Sequence, residues 1–288
     1  LKQKLSDWIL FIILSLIWGS SFILMKIGLQ QLSAYQVASV RILSAGLVLL
    51  PFAFSAFKKI PKNKIVFVVL AGLCGSFFPA YLFCMAETKI DSSLASILNA
   101  LTPLFTIVIG ISFFKLKITR QKIVGVLIGF VGLCLLPFAS KEGISFSAVS
   151  FSLLVLVATV FYGVNSNIVS TYLKEVGSLN IAAVAFGFLI IPCIAVLFYT
   201  GFFSEIATQK IFLLPLSASI LLGILGTAVA TVLFYRIVKS AGNIFASLVT
   251  YAIPIVAILW GLMAGESFTA LEAGCLAVIL GGVYLVSK

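Results

Sequence analysis

Ala95-Ser96-Ile97-Leu98-Asn99-Ala100-Leu101-Thr102-Pro103 and Ala246-Ser247-Leu248-Val249-Thr250-Tyr251-Ala252-Ile253-Pro254 are one device written twice. Each is an apolar helical stretch with a proline in mid-run. The match extends over residues 86 to 140 and 236 to 288, at an offset of about 150 positions. One residue of slip in the following loop then sets Gly132 on Gly282. Each copy runs as a proline-interrupted helix, a short polar loop and a glycine-bearing apolar helix. A repeat at fixed offset means a fold built from one duplicated unit. In a membrane protein, duplication with broken helices points to a transporter.

The chain is 62% hydrophobic and only 9% charged. A water-soluble fold cannot hide that much apolar surface, so the bilayer is the solvent. Windows of about 20 apolar residues predict ten spans: 8–27, 35–57, 65–87, 92–114, 121–139, 146–173, 181–201, 212–235, 243–264 and 270–287. The linkers leave no room for a second domain. The expected fold is an all-α polytopic membrane domain with two five-helix repeats, residues 1–140 and 141–288.

The net charge of +11 follows the topology. With the N-terminus inside, most basic residues fall on cytoplasmic segments. These are Lys2, Lys4, Lys58, Lys59, Lys62, Lys64, Lys115, Lys117, Arg120, Lys122, Lys174, Arg236, Lys239 and Lys288. Only Lys26, Lys89, Lys141 and Lys210 fall outside, and Arg41 lies within a helix. Six acids lie outside (Glu87, Asp91, Glu142, Glu205, Glu266, Glu272), against Asp7 and Glu175 inside. This is the positive-inside pattern. It makes the lipid bilayer the partner of the basic residues and argues against nucleic acid. Both termini are expected in the cytoplasm and the protein in the plasma (inner) membrane. The first apolar run is too long for a signal peptide and has no small-x-small cleavage site, so it reads as a retained first helix.

Five spans per half is an odd number, so the second repeat enters the membrane from the opposite side. The charges agree. Lys115, Lys117, Arg120 and Lys122 follow the fourth span, whereas its counterpart is followed by Glu266 and Glu272 and no base. An inverted repeat under positive-inside bias requires that swap.

The ordered set of Trp18-Gly19, its echo Tyr162-Gly163, Pro103, Pro254, Gly265-Glu266-Ser267, Gly274 and Gly281-Gly282-Val283 resembles the drug/metabolite transporter superfamily, in its ten-helix EamA-like branch. The resemblance covers essentially the whole chain. One departure is Lys115, where the family usually has glutamate. The resemblance implies a central cavity lined by spans 1, 3, 4, 6, 8 and 9, with spans 5 and 10 peripheral. It also implies export.

The residues support a cavity of this kind. Proline lacks an amide donor and frees the carbonyl four residues back, here those of Asn99 and Thr250. Inside a bilayer such a group is tolerated where protein or cavity water satisfies it. Asn99, Thr102 and Thr106 share one helical face; Ser247, Tyr251 and Pro254 share another. The opposing faces offer Trp18, Ser21 and Met25, then Tyr81, then Thr159, Tyr162, Asn165 and Ser166, then Thr227, Thr231 and Tyr235, with Trp260 in the ninth span. Packing kinks at Pro103 and Pro254 are the plain alternative. Asn165 and Asn167 either line the cavity or join helices.

Lys26, Arg41 and Glu87 form an expected charge cluster at the outer mouth. Its structural alternatives are snorkelling or an Arg41–Glu87 pair holding helices together. Functionally, Arg41 would attract a carboxylate and Glu87 would titrate. The ladders Gly125/Gly129 and Ala273/Ala277/Gly281 allow close packing within a protomer or across a weak homodimer.

The chain has no histidine, so Ser-His or Cys-His catalysis and His-ligated metals are excluded. Its two aspartates sit at helix ends, and no Gly-Lys dipeptide offers a phosphate loop. Cys74, Cys84, Cys134, Cys193 and Cys275 read as packing residues. No enzyme, cofactor or metal is expected. The sequence reads as a secondary transporter of amino acids or related small metabolites, a proton or ion gradient being one possible drive. Efflux of lipophilic cations, passive facilitation and a non-transporting scaffold are the alternatives.

Overall fold

The computed structural model describes residues 4–116, 120–139, 146–208, 213–263 and 269–287, and among these it is helical with no strand. In chain order the helices are α1 (Leu5–Gly28), α2 (Ala34–Lys59), α3 (Lys62–Ala86), α4 (Ser92–Asn99 and Thr102–Phe114) and α5 (Arg120–Ala139). They continue as α6 (Phe146–Tyr172), α7 (Ser178–Tyr199), α8 (Leu213–Ala241), α9 (Asn243–Ser247 and Val249–Met263) and α10 (Ala270–Ser287), with a short helix, Phe202–Thr208, after α7. Seven are long and apolar enough to cross a membrane; α5, α9 and α10 contribute shorter apolar stretches. Lys2, Lys117, Lys141, Glu142, Lys210, Gly265, Glu266, Ser267 and Lys288 lie outside the described residues, as do the side chains of Lys122, Cys134 and Val283.

The surface is that of a lipid-solvated bundle. Phe54, Phe113, Ile191 and Phe198 are exposed, whereas Ser39, Thr106, Thr159, Asn167 and Ser219 are buried. That is the reverse of a soluble domain, and it follows when hydrocarbon surrounds the protein. The described cysteine side chains, Cys74, Cys84, Cys193 and Cys275, are free thiols.

Local chemistry fixes the ends. Ser33 caps α2 by accepting the Gln36 amide at 3.3 Å while Gln36 Oε1 accepts the Ser33 amide at 2.9 Å. This capping box satisfies two orphan donors. Gln36 Nε2 also donates to the Thr200 carbonyl and to Glu205 Oε2, tying the start of α2 to the end of α7.

Helices α2 and α7 pack along their length, antiparallel. Gln36 meets Thr200, Gly46 lies against Ile190, and the Phe57 ring neighbours Phe188. Helices α5 and α10 also pair antiparallel, Gly129 on Gly282 and Gly132 on Ile279. A Cβ on Gly282 would lie 2.5 Å from the Gly129 amide nitrogen, so this crossing needs glycine. The sequence ladder of α10 is therefore displaced. Ala273, Ala277 and Gly281 face outward and the packing glycine is Gly282.

The remaining neighbours come in matched pairs. Helix α1 packs on α9 through Gly19 against Val256, and α6 packs on α4 through Gly163 against Phe105. Helix α1 also packs on α8 as α6 packs on α3, and α2 on α8 as α7 on α3. Exchanging the first half of the chain for the second leaves this pattern unchanged.

The breaks sit near the two prolines but not in the same register. Helix α4 is interrupted between Asn99 and Thr102, just before Pro103. The expected free carbonyl of Asn99 accepts the Thr102 hydroxyl at 2.8 Å. In α9 the interruption falls at Leu248, and Pro254 lies inside Val249–Met263. Thr250 donates its hydroxyl to the Ser247 carbonyl at 2.8 Å. A side-chain hydroxyl thus satisfies the carbonyl that the sequence predicts as open at Asn99; in α9 the hydroxyl bond goes to the Ser247 carbonyl and not to that of Thr250, the one the sequence predicts as open.

Candidate substrate cavity

Two further irregularities build the middle of the bundle. Helix α3 carries a π-helical turn at Leu73–Phe77, and α8 carries one at Ile224–Val229. They stand at the same offset as Pro103 and Pro254. Gly72-Leu73-Cys74-Gly75-Ser76 aligns with Gly223-Ile224-Leu225-Gly226-Thr227, and Phe83 aligns with Phe234. A π turn widens the helix by one residue and is common at functional sites.

Around these turns lies a cavity of about 80 Å³, lined from α1, α2, α3, α4, α6, α8 and α9. Where one water takes about 10–15 Å³ on this measure, that is room for several waters or a small solute. The walls are mostly aromatic and aliphatic, from Trp18, Phe22, Met25, Phe83, Tyr162, Phe234, Tyr235 and Ile253. The polar groups come from Ser21, Arg41, Ser76, Asn99, Thr102, Thr106, Asn165, Ser166, Thr227, Thr231, Ser247 and Thr250. A predominantly apolar wall into which polar groups converge is the usual build of a small-molecule site.

The lining is two-fold in character. Trp18 neighbours Phe234 with centroids 5.3 Å apart, and the equivalent pair Tyr162 and Phe83 is 6.1 Å apart. The Trp18 indole donates to the carbonyl of Gly226, a residue of the π turn, at 3.0 Å. Ser21 lies against Gly226, and its counterpart Asn165 lies against Gly75. Asn165 Oδ1 accepts the Tyr235 hydroxyl at 3.2 Å.

Arg41 breaks the symmetry. Its counterpart in α7 is Ala185, which packs on Gly72 as the Arg41 backbone packs on Gly223. The Arg41 side chain reaches the α8 turn, where Nε donates to Thr227 Oγ1 at 2.7 Å. The sequence predicts Arg41 at the outer mouth with Lys26 and Glu87. The structure instead puts it on the cavity, bonded to a threonine, because the glycine at position 223 lets α2 and α8 touch there. Lys26, in the last turn of α1, and Glu87, just past α3, are not part of the lining, and Glu87 accepts the Ser92 hydroxyl at 3.3 Å.

Of the other expected cavity residues, Trp18, Ser21, Asn99, Thr102, Tyr162, Asn165 and Thr227 come together. Tyr81, Tyr251 and Trp260 do not. Tyr81 shares a 2.7 Å hydrogen bond with Ser39 of α2, Tyr251 buries its hydroxyl without a partner, and Trp260 is partly exposed and donates to Ser20. Asn167 joins helices: its amide donates to the Thr106 and Gly163 carbonyls, and its Oδ1 accepts from Asn243. The sequence reading missed Gly75, Ser76, Gly226, Phe83 and Phe234. Extending the repeat back to Leu70/Leu221 would have found all of them. No group of three or more potential metal ligands occurs among the described residues.

These features define an apolar helical membrane protein whose two alike halves enclose a small, mostly apolar cavity. The chain belongs to the EamA-like transporter family, whose model matches it twice, over residues 6–138 and 150–288. It is 27% identical over 282 residues to an uncharacterized inner membrane transporter of Escherichia coli, YedA, covering 95% of this chain and 88% of that one. It is 24% identical to an uncharacterized transporter of Archaeoglobus fulgidus, covering 99% of each chain. Over 138 residues it is 29% identical to a probable amino-acid metabolite efflux pump of Salmonella typhimurium, covering 48% of this chain and 44% of that one. A solved crystal structure shares the fold with a TM-score of 0.66, at 18% identity, covering 98% of this chain and 96% of that one.

Proposed function

We propose that this chain is a secondary transporter of small organic solutes, amino acids or related metabolites, working in export by alternating access. One observation carries the reading: a mid-bundle cavity walled by equivalent residues of both halves, Trp18 with Phe234 and Tyr162 with Phe83. A cavity at the contact of two alike units can open to either side by rocking one unit on the other. The arrangement is ten spans in two inverted repeats, residues 1–140 and 141–288, with both termini cytoplasmic. The antiparallel packing of α2 on α7 and α5 on α10 supports inversion, and the sign swap between Lys115 and Glu266 supports the orientation. The efflux-pump name of one relative supports the solute class and the direction. The protein works as a monomer or weak homodimer in the inner membrane.

A passive facilitator is the second reading, favoured by a lining without any carboxylate among the described residues. Counterflow of a labelled amino-acid panel into proteoliposomes tests the carrier, and an imposed pH gradient separates the two. Saturable counterflow without gradient-driven accumulation means facilitation. No counterflow of any member, with lipophilic cations moving instead, refutes the amino-acid reading.

A further inference from the structure

Among the described lining residues Arg41 is the one charged group, and nothing lining the cavity answers it with a negative charge. Its Nε is used by Thr227, and among the described residues no acceptor is found for the two terminal nitrogens. Two other polar groups on the same cavity are also unspent. The Ser166 hydroxyl is buried without a partner, and Asn99 uses its Oδ1 for Thr102 while its amide nitrogen has no acceptor among the described residues. We infer that Arg41 is an anion subsite, and that the carrier prefers solutes of net negative charge, carboxylates whose amino group is absent or acylated, over zwitterions and cations. This rests on the transport reading of the same cavity.

The chemistry is specific. A guanidinium held at Nε keeps both terminal nitrogens in one plane, the fork that matches a carboxylate in bidentate fashion. A cation in an apolar enclosure is costly until an anion or strong acceptor joins it, so the cavity favours a solute that brings a negative group. Thr227 does not neutralise Arg41; it orients it, its own hydroxyl proton going to the Leu222 carbonyl at 3.3 Å. The α-ammonium of a free amino acid finds no carboxylate in return. Its partners are carbonyls and the faces of Trp18, Phe83 and Phe234, whose cation–π attraction is modest. A blocked amino group removes that mismatch and offers an amide oxygen to Ser166 or Asn99.

One skeleton tests this. N-acetylvaline, valine, N-acetylvalinamide and valinamide vary charge from negative through zwitterionic and neutral to positive at nearly constant shape. Each is measured for thermal stabilisation of the purified protein and for counterflow in proteoliposomes. N-acetylvaline is expected to bind about 10- to 100-fold more tightly than N-acetylvalinamide, the worth of a charge-assisted hydrogen-bond pair, with valine between. In Arg41→Gln that preference shrinks to about twofold; in Arg41→Lys, which keeps the charge without the fork, part of it remains. The wild-type series stands alone should Arg41→Gln fail to fold. Counterflow blind to charge, or preferring valinamide, overturns the subsite and leaves the carrier. Anion binding without any counterflow keeps the subsite and overturns the carrier. Neither binding nor counterflow overturns both.

Discussion

Gly75 lies so close to Asn165 that a Cβ at Gly75 would sit 2.6 Å from the asparagine amide nitrogen, and Gly226 stands in the same relation to Ser21, also at 2.6 Å. Each glycine belongs to a π turn, and each neighbour lines the cavity. The turn of one half is thus seated on the first helix of the other. A methyl group at either glycine must displace that polar side chain from its place on the cavity wall. Gly75→Ala and Gly226→Ala are each expected to cost about 1–3 kcal/mol by overpacking and to lower counterflow. Gly274→Ala, where a Cβ meets nothing within 4 Å, serves as the control and leaves both unchanged. Thermal unfolding in detergent with parallel counterflow reads the difference; an Ala variant at Gly75 as stable and active as the wild type removes the steric argument.

Two tryptophans separate wall from surface. Trp18 donates to the Gly226 carbonyl and packs on Phe234, whereas Trp260 donates to Ser20 from a partly exposed position. Trp18→Phe loses the donor to the Gly226 carbonyl, worth about 1 kcal/mol, and widens the cavity. Its expected signature is a several-fold higher KM for counterflow. Trp260→Phe should leave KM within twofold. Equal effects would mean that the cavity described here is not the route of the solute.

Much of this was legible in the sequence because the duplicated residues are chemically distinctive. Pro103 and Pro254 announce broken helices, and the break beside Pro103 falls where the pattern puts it. The π turns are not legible, since Gly72 to Ser76 resembles any small-residue stretch of an apolar helix; only its copy at Gly223 to Thr227 sets it apart. The position of Arg41 in the sequence gives its depth along the helix, which says nothing about rotation. The glycine that admits the α2–α8 contact, Gly223, decided that it meets Thr227 and not Glu87. Tyr81 and Tyr251 failed as cavity residues for a related reason: helical spacing puts them on a face, and packing chose another neighbour for that face.

Asn167 holds three helices together from one side chain. Its amide reaches the Thr106 carbonyl of α4 at 2.8 Å, and its oxygen accepts from Asn243 of α9 at 3.2 Å. These bonds must break if α4 and α6 move apart during transport. Asn167→Ala removes the side-chain donor to the Thr106 carbonyl and the acceptor of the Asn243 amide, at about 1–3 kcal/mol. Asn167→Ala and Asn243→Ala are expected to couple in a double-mutant cycle read by thermal unfolding, since they share one bond. Strict additivity would show that the two asparagines act apart.

Thr102 supplies what the helix break at Asn99 lacks. Its hydroxyl donates to the Asn99 carbonyl at 2.8 Å and lies 3.2 Å from Asn99 Oδ1, so one proton serves both oxygens. Thr102→Val keeps the shape and removes the donor, leaving the Asn99 carbonyl to find another in the cavity. The loss is about 1–3 kcal/mol if no water takes its place, and less where one does. Thr102→Ser restores the hydroxyl and should restore stability to within about 0.5 kcal/mol. The pair also tests the site: Asn99 lines the cavity, so freeing its side chain changes solute affinity as well as the fold. Counterflow KM in Thr102→Val is expected to shift several-fold and to return in Thr102→Ser. A stability loss with unchanged KM would assign the Asn99–Thr102 break to helix packing and remove it from the solute's path.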